Sequence, residues 1–113
     1  MPLEGARLTL ATGLQRMMDG FEALEAENLD AARDAFGAAE QAFEPLSSRY
    51  EALEDDPDLP RHMEADVIEL SCIAEAMHEG ATLAKEGAEA GLDDDWDTFN
   101  DRLEEAGAAM DRC

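Results

Sequence analysis

Apolar side chains recur along this chain at alternating intervals of three and four residues. Leu10, Leu14, Met17, Phe21 and Leu24 keep that spacing, and so do Ala32, Phe36, Ala39, Phe43, Leu46, Tyr50 and Leu53. After a polar interruption it resumes with Met63, Val67, Leu70, Ala74, Met77, Ala81, Ala84 and Ala88, and then with Trp96, Phe99, Leu103, Ala106 and Met110. A mean period of 3.5 holds apolar residues on one narrow stripe of an α-helix, and helices striped in this way pack lengthwise at small crossing angles. The intervening positions are mostly Glu, Asp and Arg, so each helix has one dry stripe and a solvated back. Four stripes predict four helices, over 3–27, 29–54, 61–90 and 94–112, each burying its stripe against the others. The expected fold is all-α: a left-handed, antiparallel four-helix bundle built from two long helical hairpins, 3–54 and 61–112, within a single domain spanning 1–113.

The punctuation agrees with these limits. Pro2 suits the first turn of a helix, Asn28 is a good N-cap for the second, and Asp93 to Asp95 place negative charge at the positive end of the fourth. Residues 55–60, with Pro57 and Pro60 among acids, continue neither neighbouring helix and form the linker. Pro45 falls inside the second stripe without disturbing its spacing, which predicts a kink there instead of an end. A shift of 67 residues lays the second half on the first: Leu3 meets Leu70, Gly13 meets Gly80, Gly20 meets Gly87, Asp30 meets Asp97, Asp34 meets Asp101 and Ala39 meets Ala106. An internal duplication is the reading this supports, and the paired glycines predict close helix contact, because each costs about 1 kcal/mol relative to Ala inside a helix.

Composition narrows the picture. Apolar residues make up 45% of the chain and aromatic ones 5%, while Val67, Ile68 and Ile73 are the only β-branched aliphatics; such a core of Leu, Met and Ala suits helices and leaves little for strands. The formal charge is −21, from 29 acids against 8 Lys and Arg, with Lys85 the single lysine. So many like charges repel one another at ordinary ionic strength and are screened in concentrated salt. Acid excess, scarce lysine and abundant alanine resemble the proteins of halophilic archaea. No basic patch exists to displace phosphate counterions, so nucleic acid and anionic membranes are excluded as partners, and no apolar run is long enough to span a bilayer. The amino terminus carries no apolar signal region, and a cytoplasmic location is expected.

The stretch Asp19-Gly20, Leu24-Glu25, Asn28-Leu29, Ala32, Phe36 and Ala39-Glu40 resembles the helical hairpin of an archaeal family of unknown function, over about 25 residues. With Pro45 it is also similar, more weakly, to the second helix of a tetratricopeptide unit, in which small and large residues alternate as at Ala32, Phe36 and Ala39. Neither resemblance implies a catalytic or binding residue.

Candidate chemistry is sparse. Glu75-Ala-Met-His78 has the Glu-x-x-His spacing that puts a carboxylate and an imidazole on one helical face, as in bundles that hold two metal ions; such sites need a second copy of the motif and two further glutamates. Residues 93–104 place acids at several ligand positions of a calcium loop, yet Thr98 stands where that loop needs Gly, and an acidic helix start is the better account. Cys72 lies in an apolar stretch and reads as a small core residue, while Cys113 is a terminal thiol open to intermolecular oxidation; two cysteines so far apart do not suggest a disulfide framework. No nucleophile motif, phosphate-binding loop or cofactor motif is present, and neither an enzymatic activity nor a cofactor is expected. The methionines Met17, Met18, Met63, Met77 and Met110 read as core filling. The expected function is therefore a non-enzymatic protein interaction or scaffold module, a homodimer among the options, with contacts through apolar residues off the stripes: Leu8, Met18 and Ile68. The alternative is a metal-binding helical bundle using Glu75 and His78.

Overall fold

The computed structural model describes residues 2–113, without the side chains of residues 2–4 and 6. It contains four helices, α1 (Pro2–Glu25), α2 (Leu29–Glu54), α3 (Arg61–Leu92) and α4 (Trp96–Met110), and no strand among the described residues. Asn28 caps α2 by accepting from the Ala31 N–H, and α2 runs through Pro45 without ending. Proline removes one helical hydrogen bond; here Phe43, Leu46 and Tyr50, all fully buried, anchor the helix on both sides of the defect.

Packing follows chain order: α1 lies on α2, α2 on α3 and α3 on α4. Along α1, Gly13 faces Phe43 and Gly20 faces Phe36, so partner numbers fall on α2 as they rise on α1. The same reversal holds between α2 and α3, where the Thr82 hydroxyl donates to Glu40 at 2.6 Å, Lys85 pairs with Glu40 at 3.7 Å, and the Ser47 hydroxyl donates to Glu75 at 3.3 Å. On α4, Met110 covers Gly80 and Leu103 approaches Gly87. These contacts are consistent with a bundle, but one expectation needs correcting: the four stripes do not close on one another. Among the described residues α1 only brushes α3 and never reaches α4, and the molecule is an elongated body of 51 × 21 × 17 Å. The reason lies in α3, which buries two stripes. Val67, Ala74, Ala81 and Ala88 form one beside the side chains that reach α2, and Ala76, Gly80, Gly87 and Gly91 form another that includes the glycines under α4.

A second correction concerns α1. Its buried residues are Leu10, Gly13, Met17 and Gly20, whereas Leu14 and Phe21, expected in the seam, are 37% and 38% exposed. The seam is made where α1 has no side chains. A methyl group on Gly13 would stand 2.5 Å from Phe43 Cε1, and one on Gly20 would stand 2.5 Å from Phe36 Cε1, so the two rings rest directly on bare backbone. Close approach draws this flank of α1 onto α2 and leaves Leu14 and Phe21 at the edge of the seam, where Phe21 stands edge-on to Phe36 at 5.2 Å.

The turn between α1 and α2 and the turn between α3 and α4 match bond for bond at the 67-residue shift. Glu27 and Asp94 both take the left-handed conformation, with φ of 59° and 60°. The Asn28 N–H donates to the Ala23 carbonyl at 2.8 Å, as Asp95 does to Ala90 at 2.9 Å; Glu27 donates to Leu24 as Asp94 does to Gly91. This is the Schellman arrangement that satisfies the last carbonyls of a helix. Asp95 then caps α4 as Asn28 caps α2, each accepting from a backbone N–H at 3.2 Å.

Among the described residues one buried side-chain group has no partner. Tyr50 is fully buried and its hydroxyl meets no hydrogen-bonding group there, and burial raises its pKa above 10.0 against a smaller opposing effect from Arg7. An unsatisfied buried hydroxyl costs stability, so Tyr50→Phe is expected to stabilise the fold by about 1 kcal/mol at neutral pH. Because the folded-state pKa is the higher one, the protein loses stability as pH rises from 10.0 through that value, and denaturant titrations should find that contribution missing in the Phe variant. The glycines allow a contrast of sign. Gly13→Ala and Gly20→Ala should destabilise by about 1–3 kcal/mol through overpacking, despite the better helix propensity of alanine. Gly107→Ala, whose methyl would meet nothing within 4 Å, should instead gain up to about 1 kcal/mol. Urea unfolding followed by circular dichroism reads all three.

Candidate interaction surface

Among the described residues the exposed large apolar side chains are Leu8, Leu14, Met18, Phe21, Ile68, Leu92 and Trp96, and the first four belong to α1. With Ala11 they recur at steps of three, three, four and three, a second stripe about a third of a turn round from the buried one at 100° per residue. Leu8 is 70% and Met18 57% exposed, so both expected contact residues stand on this face. The electrostatics there differ from the rest of the molecule. From Gly5 to Met18 the chain has no Asp or Glu and carries Arg7 and Arg16, the latter paired with Asp19 at 3.2 Å.

Ile68, the third expected contact, lies elsewhere. It is 59% exposed and lines a separate recess of about 360 Å³ with Glu54, Asp55, Leu59 and Glu64, where the linker meets α3. At the opposite end of the molecule the two matching turns flank an open groove of about 460 Å³, lined by Leu24, Glu27, Leu29, Trp96 and Phe99. Trp96 is half exposed and stands edge-on to Phe99 at 5.2 Å. The periodicity assigned Trp96 to the seam, and nothing in its spacing marked it as a groove wall.

The acidic run beside Trp96 acts as a helix start. Asp95 accepts from the Thr98 N–H at 3.2 Å and from the Thr98 hydroxyl at 2.7 Å, which holds its carboxyl below the ordinary range. Glu75 is exposed and accepts from Ser47, while His78 is half-buried and gives its carbonyl to the Thr82 hydroxyl at 3.0 Å. Among the described residues no group of three or more His, Cys, Asp or Glu side chains is placed to hold a metal ion.

The cysteines require a further correction. Cys72 is exposed on α3, not in the core, and it is bonded to Cys113 within the chain, with 6.0 Å between the Cα atoms. Separation of 41 residues in sequence hid a proximity that arises because α4 returns along α3. Arg112 reinforces the same clasp through Glu79 at 2.6 Å. No helix is long and apolar enough to cross a membrane among the described residues. Comparison with protein-family models, curated proteins and solved structures finds no match for this chain.

The clasp ties down the end of α4, the shortest helix, and closes a loop of known length. In the loop-entropy treatment a loop of this size is worth at most about 4 kcal/mol. Reduction, or Cys72→Ser, is expected to lower stability by about 2–4 kcal/mol while leaving helix content in dilute buffer unchanged, as paired urea titrations with and without a dithiol would read.

Proposed function

We propose that this chain is a non-enzymatic interaction module: two antiparallel helical hairpins related by duplication, joined through the 55–60 linker, presenting the outer stripe of α1 to another protein. The observation that carries this reading is the concentration of Leu8, Leu14 and Met18 on one outer flank of α1, in the stretch from Gly5 to Met18 that is free of acids in an otherwise strongly acidic chain. Contiguous apolar surface of this kind marks binding sites. The duplication is supported by the matching turns, the matching caps and the equivalent pairs Gly13 with Phe43 and Gly80 with Met110. The acid excess supports concentrated salt as the working solvent, where the repulsion among carboxylates is screened.

Site-specific photocrosslinking tests the surface. A photoreactive side chain at Met18 is expected to give a discrete protein adduct in native extract, and one at Glu104, exposed on α4, is expected to give none. Equal adducts from both positions, or none from Met18, would count against the reading.

A further inference from the structure

The groove between the two turns combines features that the molecule's other recesses keep apart. Leu29, Phe99 and Trp96 converge on the bare backbone of Gly91: a methyl group there would stand 3.0 Å from Leu29 Cδ1, 3.0 Å from Phe99 Cδ2 and 3.4 Å from Trp96 Cζ3. That contact brings the turns together and gives the groove an apolar floor. Its walls hold Glu27 from the first turn and Trp96 from the start of α4, the indole 49% exposed. The surroundings are acidic without a balancing cation. Between Arg16 and Arg33, and again between Lys85 and Arg102, the chain has neither Lys nor Arg. Glu25, Glu27, Asp93, Asp94 and Asp97 are exposed there, and among the described residues no salt bridge reaches any of them. The recess at Ile68 has acids but no aromatic lining, and the one lined by Gly5, Arg49, Ala52, Leu53 and Asp56 holds a cation of its own. Glycine is the easy residue at the left-handed position of such a turn, yet Glu27 occupies it, with φ of 59° and its side chain in the groove.

We propose that this groove receives an arginine side chain, flanked by an apolar residue, from an exposed segment of a partner protein. The guanidinium lies on the open indole of Trp96 and pairs with the Glu27 carboxylate, and the apolar neighbour lies on Leu24 and Leu29. Charge complementarity selects a cation, because the rim carries only acids and an anionic segment would add to their repulsion. The aromatic wall selects arginine among cations: its planar group stacks on an aromatic face and is more weakly hydrated than an ammonium. The apolar floor selects a segment over a bare ion, and among the described residues no cluster of three or more ligating side chains is present to hold a metal. Screening does not abolish the pair. At about 1 M salt the Debye length is roughly 3 Å, so long-range steering is lost while a contact pair inside that distance persists. The site is separate from the outer stripe of α1 and does not depend on the interaction reading above.

Trp96 is the only tryptophan, so its fluorescence reports on the groove directly. The probes are three acetylated and amidated tripeptides titrated into the full chain: Leu-Arg-Leu, Leu-citrulline-Leu, which keeps the shape without the charge, and Leu-Glu-Leu. Expected is a saturable change in Trp96 emission with the arginine peptide, binding of the citrulline peptide weaker by about three- to tenfold, and no binding of the glutamate peptide. Glu27→Gln should weaken the arginine peptide by about two- to fivefold. Glu27→Gly should weaken it as much while raising the urea midpoint, because glycine takes the left-handed conformation freely; a purely structural role for Glu27 would not separate binding from stability in this way. Glu51→Gln, which removes an exposed acid at the far end of α2, should change neither. Trp96→Leu, read by calorimetry, should weaken the arginine peptide more than the citrulline one; if that variant does not fold, the Glu27 variants make the same reading. Equal binding of the arginine and citrulline peptides, no saturable binding of the arginine peptide, or equal losses from Glu51→Gln and Glu27→Gln would each overturn the proposal.

Discussion

The fold depends on two aromatic rings seated on bare backbone. Phe43 over Gly13 and Phe36 over Gly20 set how close α1 comes to α2 and which flank of α1 faces inward. Each glycine carries a propensity cost of about 1 kcal/mol, and burial of a phenylalanine side chain, worth about 1.5–3 kcal/mol, offsets it. The same device recurs under α4, where Met110 fills the place over Gly80 and Leu103 approaches Gly87. Because glycines make the seam, the large side chains next to them, Leu14 and Phe21, stand at its edge and are partly exposed. The apolar face of α1 is thus a consequence of the packing that forms the core.

Electrostatics works against this compact shape, and three of the eight cations reach across to a neighbouring element. Lys85 reaches Glu40 across α2 and α3, Arg102 reaches Glu86 across α3 and α4, and Arg112 reaches Glu79 beside the disulfide. The pairs are at least partly exposed and each contributes little by itself. Their effect is to remove carboxylate repulsion at the seams while leaving it on the outer faces. Asp95 shows the other use of acid in this chain: two hydrogen bonds from Thr98 turn a potential repulsive site into a helix start.

Much of the architecture was legible in the sequence. Helix number, helix limits, the cap at Asn28 and the continuity of α2 through Pro45 follow from spacing and local chemistry, which depend on neighbours a few residues away. The buried set of α2, from Ala32 to Tyr50, matches its stripe for the same reason. What failed was long-range. Leu14 and Phe21 were assigned to the centre of the seam because an apolar period counts glycine as a gap, although the recurrence of Gly13 and Gly20 in the second half had marked them as close contacts, which they are. The pairing of Cys72 with Cys113 depends on where α4 lies along α3. Of the expected contact residues, Leu8 and Met18 come together on α1, since they share one helix, whereas Ile68 sits apart at the linker. Glu75 and His78 were singled out by spacing that also suits an exposed carboxylate bonded to Ser47.

Comparison of the two hairpins gives the exposed stripe a meaning that its exposure alone does not. Where α3 is covered by α2 it carries Ala81 and Ala88, small enough for backbones to approach closely. At the equivalent positions α1 carries Leu14 and Phe21, and at the equivalents of Glu75 and Lys85 it carries Leu8 and Met18. If the hairpins are copies, the covered face became small and partly charged, as suits a permanent intramolecular contact locked by Glu40 and Ser47. At these four positions the uncovered face carries larger, apolar side chains. Bulky flexible side chains without a fixed polar register suit a partner that arrives and leaves, since they bury area on contact without requiring a single set of hydrogen bonds. Had α1 been merely a solvated outer helix, an acid-rich chain would be expected to carry carboxylates there, as α4 does at Asp101 and Glu104. Their absence from Gly5 to Met18 is what supports reading this flank as an interaction surface.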